Sequence, residues 1–236
     1  DATEGKYDVH SGYLELLLPL LADMPGVELL ELSAALRNVN YSSFGGNTSW
    51  KVGMRWQVID DLAVRGTYST AFAAPQIASL YLGTADSFPG VSDPCSTVDE
   101  SGGARELTDD QIANCAAQGV PAGFKDERAQ LRSLIGGNTE LEPETAKIMT
   151  AGLVFEPAFL EGFSLTLDYY NIKIENAITT LGANVILSSC YSQPDSEYCD
   201  KVQRDPTTNM ITNIIDTVTN AGGTTAAGMD FSMVYG

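Results

Sequence analysis

The residues able to do chemistry are few, and their spacing decides much of what this chain can be. Four cysteines form two local couples, Cys95 with Cys115 and Cys190 with Cys199, each in a polar, turn-rich stretch. None has C-x-x-C spacing, and the sole histidine, His10, is far away in sequence, so a Cys/His zinc site has poor support. Two disulfides stapling loops in an oxidising compartment fit better. Four free thiols, or pairing across the couples, are the alternatives. Carboxylates cluster at Asp109-Asp110 and at Glu140, Glu142 and Glu144. Acid–base hydrolysis would need two of them facing across a cleft, and calcium would need a D-x-[DN]-x-[DN]-G loop. Neither frame is present, so these read as solvated loop charge. Gly136-Gly137-Asn138 lacks the frame of a phosphate-cradling loop and reads as a turn needing positive φ, with Pro143 fixing the start of a strand. No G-x-S-x-G occurs, and His10 has no evident partner. The sequence therefore offers no catalytic residue, no metal ligand set and no cofactor site.

Composition narrows the classes further. Thirteen basic residues against 31 acidic ones give a formal charge of -18 over 236 residues. Nucleic acid is excluded as a partner, because neutralising phosphates takes clustered Lys and Arg. At 44% hydrophobic residues the chain can bury a core. No run of about 18 apolar residues exists, so no transmembrane helix is expected. The opening lacks a basic stretch followed by an apolar one, so no signal peptide is expected. With no initiating Met and strand-like segments at both ends, the chain reads as a piece of something longer.

The elements that must position these residues are strands. Trp50, Val52, Met54, Trp56 and Val58 alternate with Ser49, Lys51, Gly53, Arg55 and Gln57, giving one apolar and one polar face. The same period of two recurs in six other places. It predicts antiparallel strands near residues 7–18, 27–41, 48–58, 62–72, 145–156, 163–178 and 224–236, in sequence order. Such strands are long for a soluble protein, where about 5–6 residues is usual. Short turns are expected at 19–26, 59–61 and 157–162, and a tight one at 42–47. The stretches 72–143 and 181–220 read as long acidic loops, with one short helix at 107–118 capped by Thr108 and Gln111. Counting strands puts all three short turns on one rim and both long loops, with the cysteine couples, on the other. That asymmetry is the one a transmembrane β-barrel shows. A soluble β-sandwich could also use such strands. The barrel is favoured by three features. Arg37, Lys51, Arg55, Arg65 and Asp168 share the polar faces, where opposite charges could pair across a wet lumen. Trp50, Tyr68, Tyr169 and Tyr235 would serve as an interfacial girdle. The long loops are hard to place in a compact sandwich. His10 then falls at the lumen or rim.

Four segments resemble one family. Gly136-Gly137-Asn138-Thr139-Glu140-Leu141-Glu142-Pro143-Glu144 is similar to the G-N-x-x-L-x-P-E signature of TonB-dependent outer-membrane receptors. Tyr68 to Tyr81, with Phe72 and Pro75 in place, resembles their Y-S-x-x-F-R-x-P-x-x-x-E-L-Y segment. Asp168 to Ile178 resembles D-Y-Y-x-I-x-I-x-x-x-I, and Asn220 to Asp230 resembles the N-x-G start of the next strand. The order and spacing place the chain in the middle-to-late barrel. Two departures stand out: the family's Arg after Phe72 is Ala73, and its Glu before Leu80 is Ser79. A charged pair bracing the start of the loop is therefore missing.

The resemblance implies an all-β fold, an antiparallel transmembrane β-barrel segment of about seven strands with long extracellular loops. Residues 1–236 would form one partial barrel domain. It implies no enzyme but part of an active-transport receptor in the outer membrane of a Gram-negative bacterium. Its partners would be outer-membrane lipid, a scarce nutrient (saccharide, peptide or metal chelate), and the TonB–ExbB–ExbD complex acting through a plug this chain lacks. Tyr81, Phe88 and Tyr191, aromatic residues in polar loops, are candidate vestibule contacts or else parts of a loop mini-core. Between residues 84 and 145 about twelve acidic residues face four basic ones, which argues against a strongly anionic ligand on these loops. The rival reading is a secreted or surface β-sheet binding module with disulfide-stapled acidic loops.

Overall fold

A computed structural model describes residues 5–193 and 196–236. Seven long strands form one antiparallel sheet: β1 (Val9–Met24), β2 (Val27–Tyr41), β3 (Gly45–Ile59), β4 (Leu62–Ala73), β7 (Glu144–Phe155), β8 (Phe163–Glu175) and β13 (Gly223–Tyr235). They lie in sequence order. β1 and β13 each bond on one side only, so this sheet does not close. All three short turns join strands at one rim, and both long insertions leave from the other, as the strand count requires. The first strand is longer than the sequence suggests. It runs through Pro19, expected to end it, as far as Met24. The register shifts between Pro19 and Leu21, and a bulge is where a strand tolerates a residue without an N–H.

Register sorts the faces. Trp50, Val52, Met54 and Trp56 lie opposite Leu36, Ala34, Leu32 and Leu30 on one side. On the other side of β3, Val52 and Trp56 oppose Tyr68 and Val64. The apolar face continues through Leu153 and Leu167 to Phe231. The girdle is partly corrected. The Trp50 and Tyr68 rings lie 5.5 Å apart toward the long-loop rim, and Tyr235 ends β13. Tyr169, however, sits in the middle of β8, because that strand starts at Phe163 and carries several further residues beyond it.

The polar face is organised as a row. Glu31, Arg55, Arg65, Gly152, Asp168 and Asp230 stand in register across six strands. Arg55 and Arg65 oppose each other directly, which like charges disfavour. Arg65 turns instead across β7, where its Nη2 donates to Asp168 Oδ2 at 2.6 Å and its Nε to Oδ1 at 3.1 Å. It can do so because Gly152 has no side chain: a Cβ there would collide with the Asp168 carboxylate. Gly228 similarly leaves room for the Tyr170 hydroxyl. We therefore expect Gly152→Leu to separate Arg65 from Asp168 and to cost about 1–3 kcal/mol, the range for overpacking a filled site. Urea unfolding of the reconstituted barrel measures it, and Gly12→Leu, where an added Cβ meets nothing within 4 Å, is the control.

The two long insertions are not the irregular loops expected. They supply helices α1 (Ile77–Tyr81), α2 (Asp109–Ala117) and α3 (Ala183–Ser192) and strands β5 (Ala85–Ser87), β6 (Ser133–Gly136), β10 (Val202–Arg204) and β11 (Ile211–Thr217), besides two-residue pieces β9 (Ile178–Thr179) and β12 (Thr219–Asn220). Strands from both insertions share one sheet, ordered β10-β11-β6-β5, with β6 and β11 parallel. Residues 76–141 and 178–219 thus make a compact unit distinct from the long-strand sheet. Its core gathers Phe124, Leu131, Ile186, Leu187, Tyr191, Ile211 and Ile214 with both disulfides. The expected helix is α2, with its reciprocal cap: Gln111 N–H donates to Thr108 Oγ at 3.2 Å and Thr108 N–H to Gln111 Oε1 at 3.0 Å.

Candidate functional site

In the inserted unit the cysteines pair within their couples, Cys95 with Cys115 and Cys190 with Cys199. The first bridge ties the 93–96 turn to α2, and the second ties α3 to the 3₁₀ turn Glu197–Lys201. By chain-entropy reasoning, closing loops of these lengths stabilises by on the order of 3 kcal/mol each. We expect reduction of the full-length receptor to make residues 76–141 and 178–219 protease-sensitive while the long strands stay protected, as limited proteolysis with peptide mapping would show.

Between the bridges lies a buried polar cluster that sequence reasoning missed. Arg204, on β10, donates from Nη1 to Asp93 Oδ2 at 2.6 Å and from Nη2 to Asp93 Oδ1 at 2.7 Å. Its Nε donates to the Tyr191 hydroxyl at 2.9 Å, and Nη1 also reaches the Asn209 carbonyl at 2.7 Å. The guanidinium lies over the Tyr191 and Phe124 rings, 5.2 and 5.9 Å from their centroids. The side chains of Arg204 and Asp93 are 9% and 0% exposed. Burial works against the Arg204 charge, but the Asp93 hydrogen bonds and charge outweigh it and raise its pKa. Burial pushes the Tyr191 phenol up. A second pair holds the neighbouring turn: Arg128 donates from Nη2 to Asp126 Oδ2 at 2.6 Å, and from Nη1 to the Ile211 carbonyl at 3.0 Å. Burial would raise the Asp126 carboxyl, yet the Arg128 bonds and charge leave it lowered. Its contribution to stability is thus present above the ordinary carboxylate pKa of about 3.9 and lost as pH falls through the lower folded value.

This cluster sets Asp93 and Asp126 apart from Asp109, Asp110, Glu140 and Glu142, which are exposed. Asp93 and Asp126 are buried because each meets an arginine from a distant or adjacent turn. It also places the three vestibule candidates differently. Tyr191 is 1% exposed and belongs to the mini-core, since its ring covers Arg204. Phe88 is 57% exposed, just beyond β5. Tyr81 is half-buried at the end of α1. Beside the Cys95–Cys115 bridge lies an apolar cavity of about 220 Å³ lined by Leu107, Ile112, Ala116, Val120 and Pro121. On the polar face of the long-strand sheet a larger hollow, about 560 Å³, is lined by Tyr13, Glu15, Arg37, Ser49, Lys51 and Ser69.

The motif residues have structural work. Gly136 has φ +155° and sits against the Thr84 backbone, a conformation few side chains accept. Gly137 is a close approach rather than a turn: a Cβ there would be 2.9 Å from the Leu80 carbonyl oxygen. Its N–H donates to Leu82 O at 2.9 Å, and the Asn138 N–H to Ser79 O at 2.8 Å. The two motifs therefore meet through backbone, in the place where the charged pair is missing. Leu141 and Pro75 are buried. Phe72, Pro143 and Glu144 are half-buried at the long-loop rim. Asn220 joins the strand ends there, donating to the carbonyls of Glu142 at 2.8 Å and Asn176 at 3.0 Å.

A sequence model of the family described as TonB dependent receptor-like, beta-barrel, matches residues 2–236. The chain belongs to the TonB-dependent receptor family. That family consists of outer-membrane transport receptors, not enzymes. Solved receptors share the fold. The siderophore receptor PirA of Acinetobacter baumannii aligns over 96% of this chain and 25% of its own, with TM-score 0.56 and 16% identity. PirA of Pseudomonas aeruginosa aligns over 96% and 31%, with TM-score 0.54 and 19% identity. The ferric enterobactin receptor PfeA of P. aeruginosa, in complex with enterobactin, aligns over 95% and 24%, with TM-score 0.58 and 16% identity. This TonB-dependent receptor chain therefore spans about a quarter to a third of the receptors it matches.

Proposed function

We propose that this chain is one partial barrel domain, wall and extracellular loops together, of a receptor that binds a scarce nutrient outside and admits it through the lumen. The supporting observation is the division of labour along the chain. Long strands carry one apolar and one polar face, while both insertions leave the same rim and fold into a disulfide-stapled unit. Loops held by a rigid scaffold are where recognition resides. The candidate ligand contacts are the exposed Phe88 and the half-buried Tyr81 of the inserted unit. Energy is supplied by TonB–ExbB–ExbD through the plug of the whole receptor, in the outer membrane of a Gram-negative bacterium. The ligand is a saccharide, peptide or metal chelate, the last supported by the siderophore receptors among the neighbours.

Excising residues 85–130 is a poor test of this. It would remove β5, Asp93 and Phe124 and leave Arg204 buried without its partner. The cleaner experiment replaces residues 76–141 and 178–219 with short turns in the full-length receptor. Uptake of iron-55 ferric siderophores, labelled oligopeptides and oligosaccharides is then compared with wild type and with a strain lacking TonB. Both changes should abolish uptake of the same compound while heat-modifiable migration of the barrel persists. Uptake unaffected by either change would sink the proposal.

A further inference from the structure

The outward and inward faces of the seven strands differ in where they place cations. Arg37, Lys51, Arg55 and Arg65 all lie on the polar face. Within the described strands the apolar face carries two lysines, Lys147 on β7 and Lys173 on β8, directly opposite each other. Two like charges in register on adjacent strands disfavour the pairing. A single carboxylate sits between them: Lys173 Nζ donates to Glu175 Oε1 at 2.7 Å and Lys147 Nζ to Glu175 Oε2 at 3.3 Å. One acid for two ammonium groups leaves a net positive charge. Each ammonium has three N–H donors, so two on each are left over. The side chains of Lys147 and Lys173 are 55% and 56% exposed.

Their height on the sheet is specific. Thr70, Lys147, Lys173 and Thr225 form one row across four strands. Two residues further from the long-loop rim the row is Tyr68, Met149, Asn171 and Ala227, and beyond it the face turns apolar with Val64, Leu153, Leu167 and Phe231. The lysines therefore stand immediately above the apolar band. A cleft opens beside them. The β3–β4 ladder stops at Lys51 and Ser69, while β4 and β7 stay paired up to Ala73 and Glu144. The gap is a hollow of about 400 Å³ lined by Thr48, Trp50, Thr70, Thr145 and Lys147. Trp50 N–H, freed from the ladder, donates to Thr70 Oγ1 at 3.1 Å, which leaves the Thr70 hydroxyl hydrogen for another acceptor.

We infer that Lys147, Lys173 and Thr70 bind the phosphate of an anionic lipid headgroup in the leaflet at the long-loop rim, with the Trp50 side of the cleft receiving the rest of the headgroup. Lipid phosphates lie at the boundary between apolar and polar zones, the level at which this row stands, and a phosphate accepts several N–H and O–H bonds at once. The inference rests on the outer-membrane reading above. The test is native mass spectrometry of the full-length receptor purified from outer membranes and offered bis-phosphorylated lipid A or its fully dephosphorylated form. Wild type should retain the phosphorylated lipid at least ten-fold better than K147A/K173A, and better than the dephosphorylated lipid by a similar factor. The same loss of charge in K125A/K201A should change nothing. Millimolar inorganic phosphate should not displace the lipid. If K147A/K173A fails to fold, as heat-modifiable migration reports, the single K147Q and K173Q variants should each lose retention about three-fold. Equal retention by the lysine variants, equal binding of dephosphorylated lipid, or displacement by phosphate alone would overturn the site. Absence of the wild-type protein from the outer-membrane fraction, read before any lipid is added, would overturn the reading beneath it as well.

Discussion

Arg204→Met should loosen the inserted unit more than any other single change in it, by about 3–5 kcal/mol, the usual cost of stranding one partner of a buried ion pair. Met roughly keeps the volume and the contact with the Tyr191 and Phe124 rings, so packing loss is small. What changes is Asp93, whose side chain has no exposure and would lose both guanidinium hydrogen bonds, keeping only that from the Cys95 N–H. The Tyr191 hydroxyl and the Asn209 carbonyl would lose a donor at the same time. Hydrogen exchange on the full-length receptor should show residues 85–135 and 183–216 losing protection together, because β6 and β11 belong to different insertions yet share a ladder. The long strands should exchange as in wild type. Adding Asp93→Asn should recover part of the loss by removing the stranded charge. Unchanged protection in Arg204→Met would show that the disulfides alone hold the unit.

The long strands were legible because a face packed against one kind of environment writes its period into the sequence. Trp50 to Trp56 and Met149 to Phe155 are readable for that reason, and the register then follows from turn lengths. The reading failed where geometry departs from the period. At Pro19 a bulge carries the strand onward, and nothing in the composition of that stretch distinguishes a bulge from a turn. The inserted unit was illegible for a different reason. Its strands are two to seven residues long, too short for alternation to stand out from chance, and β6 and β11 find each other across about 80 residues. The cysteine couples were readable because local closure needs no knowledge of the fold. Arg204 was not, although a trace existed. It is one of few cations in an acidic stretch, and its partner Asp93 sits two residues before Cys95, so the bridge and the ion pair anchor the same turn. Tyr191 shows the limit of reading aromatics in polar loops as ligand contacts: in the sequence a ring covering an arginine and a ring awaiting a ligand look alike.

Leu167→Arg should destabilise the barrel by about 2–4 kcal/mol, while Thr166→Arg, one residue earlier, should cost far less. The two positions share a strand and nearly the same depth, and differ in the face they occupy. Leu167 lies in register with Leu153 on one side and Phe231 on the other, on the apolar face. Thr166 lies opposite Ser232 on the face that carries Arg65 and Asp168. On the lipid side of a barrel, an arginine within the apolar band must either bring water into hydrocarbon or bend toward the interface, and Leu167 lies inside β8, four residues from its start at Phe163 and eight from its end at Glu175. On the other face it meets water and the Asp168 and Asp230 carboxylates. Equilibrium unfolding in urea of the receptor reconstituted in phosphatidylcholine bilayers measures both. The contrast, not either value alone, carries the assignment: a soluble sandwich would bury the Leu167 face against protein and expose the Thr166 face to water, and would also penalise Leu167→Arg. The bilayer version has a further signature, because the penalty depends on depth. Moving the arginine along the same face toward the long-loop rim, from Leu167 to Asn171, should reduce the cost to about 0–1 kcal/mol, since Asn171 lies one row below Lys173. A packed protein core has no reason to relax on that schedule, so a flat cost along the face would argue against a lipid-facing surface.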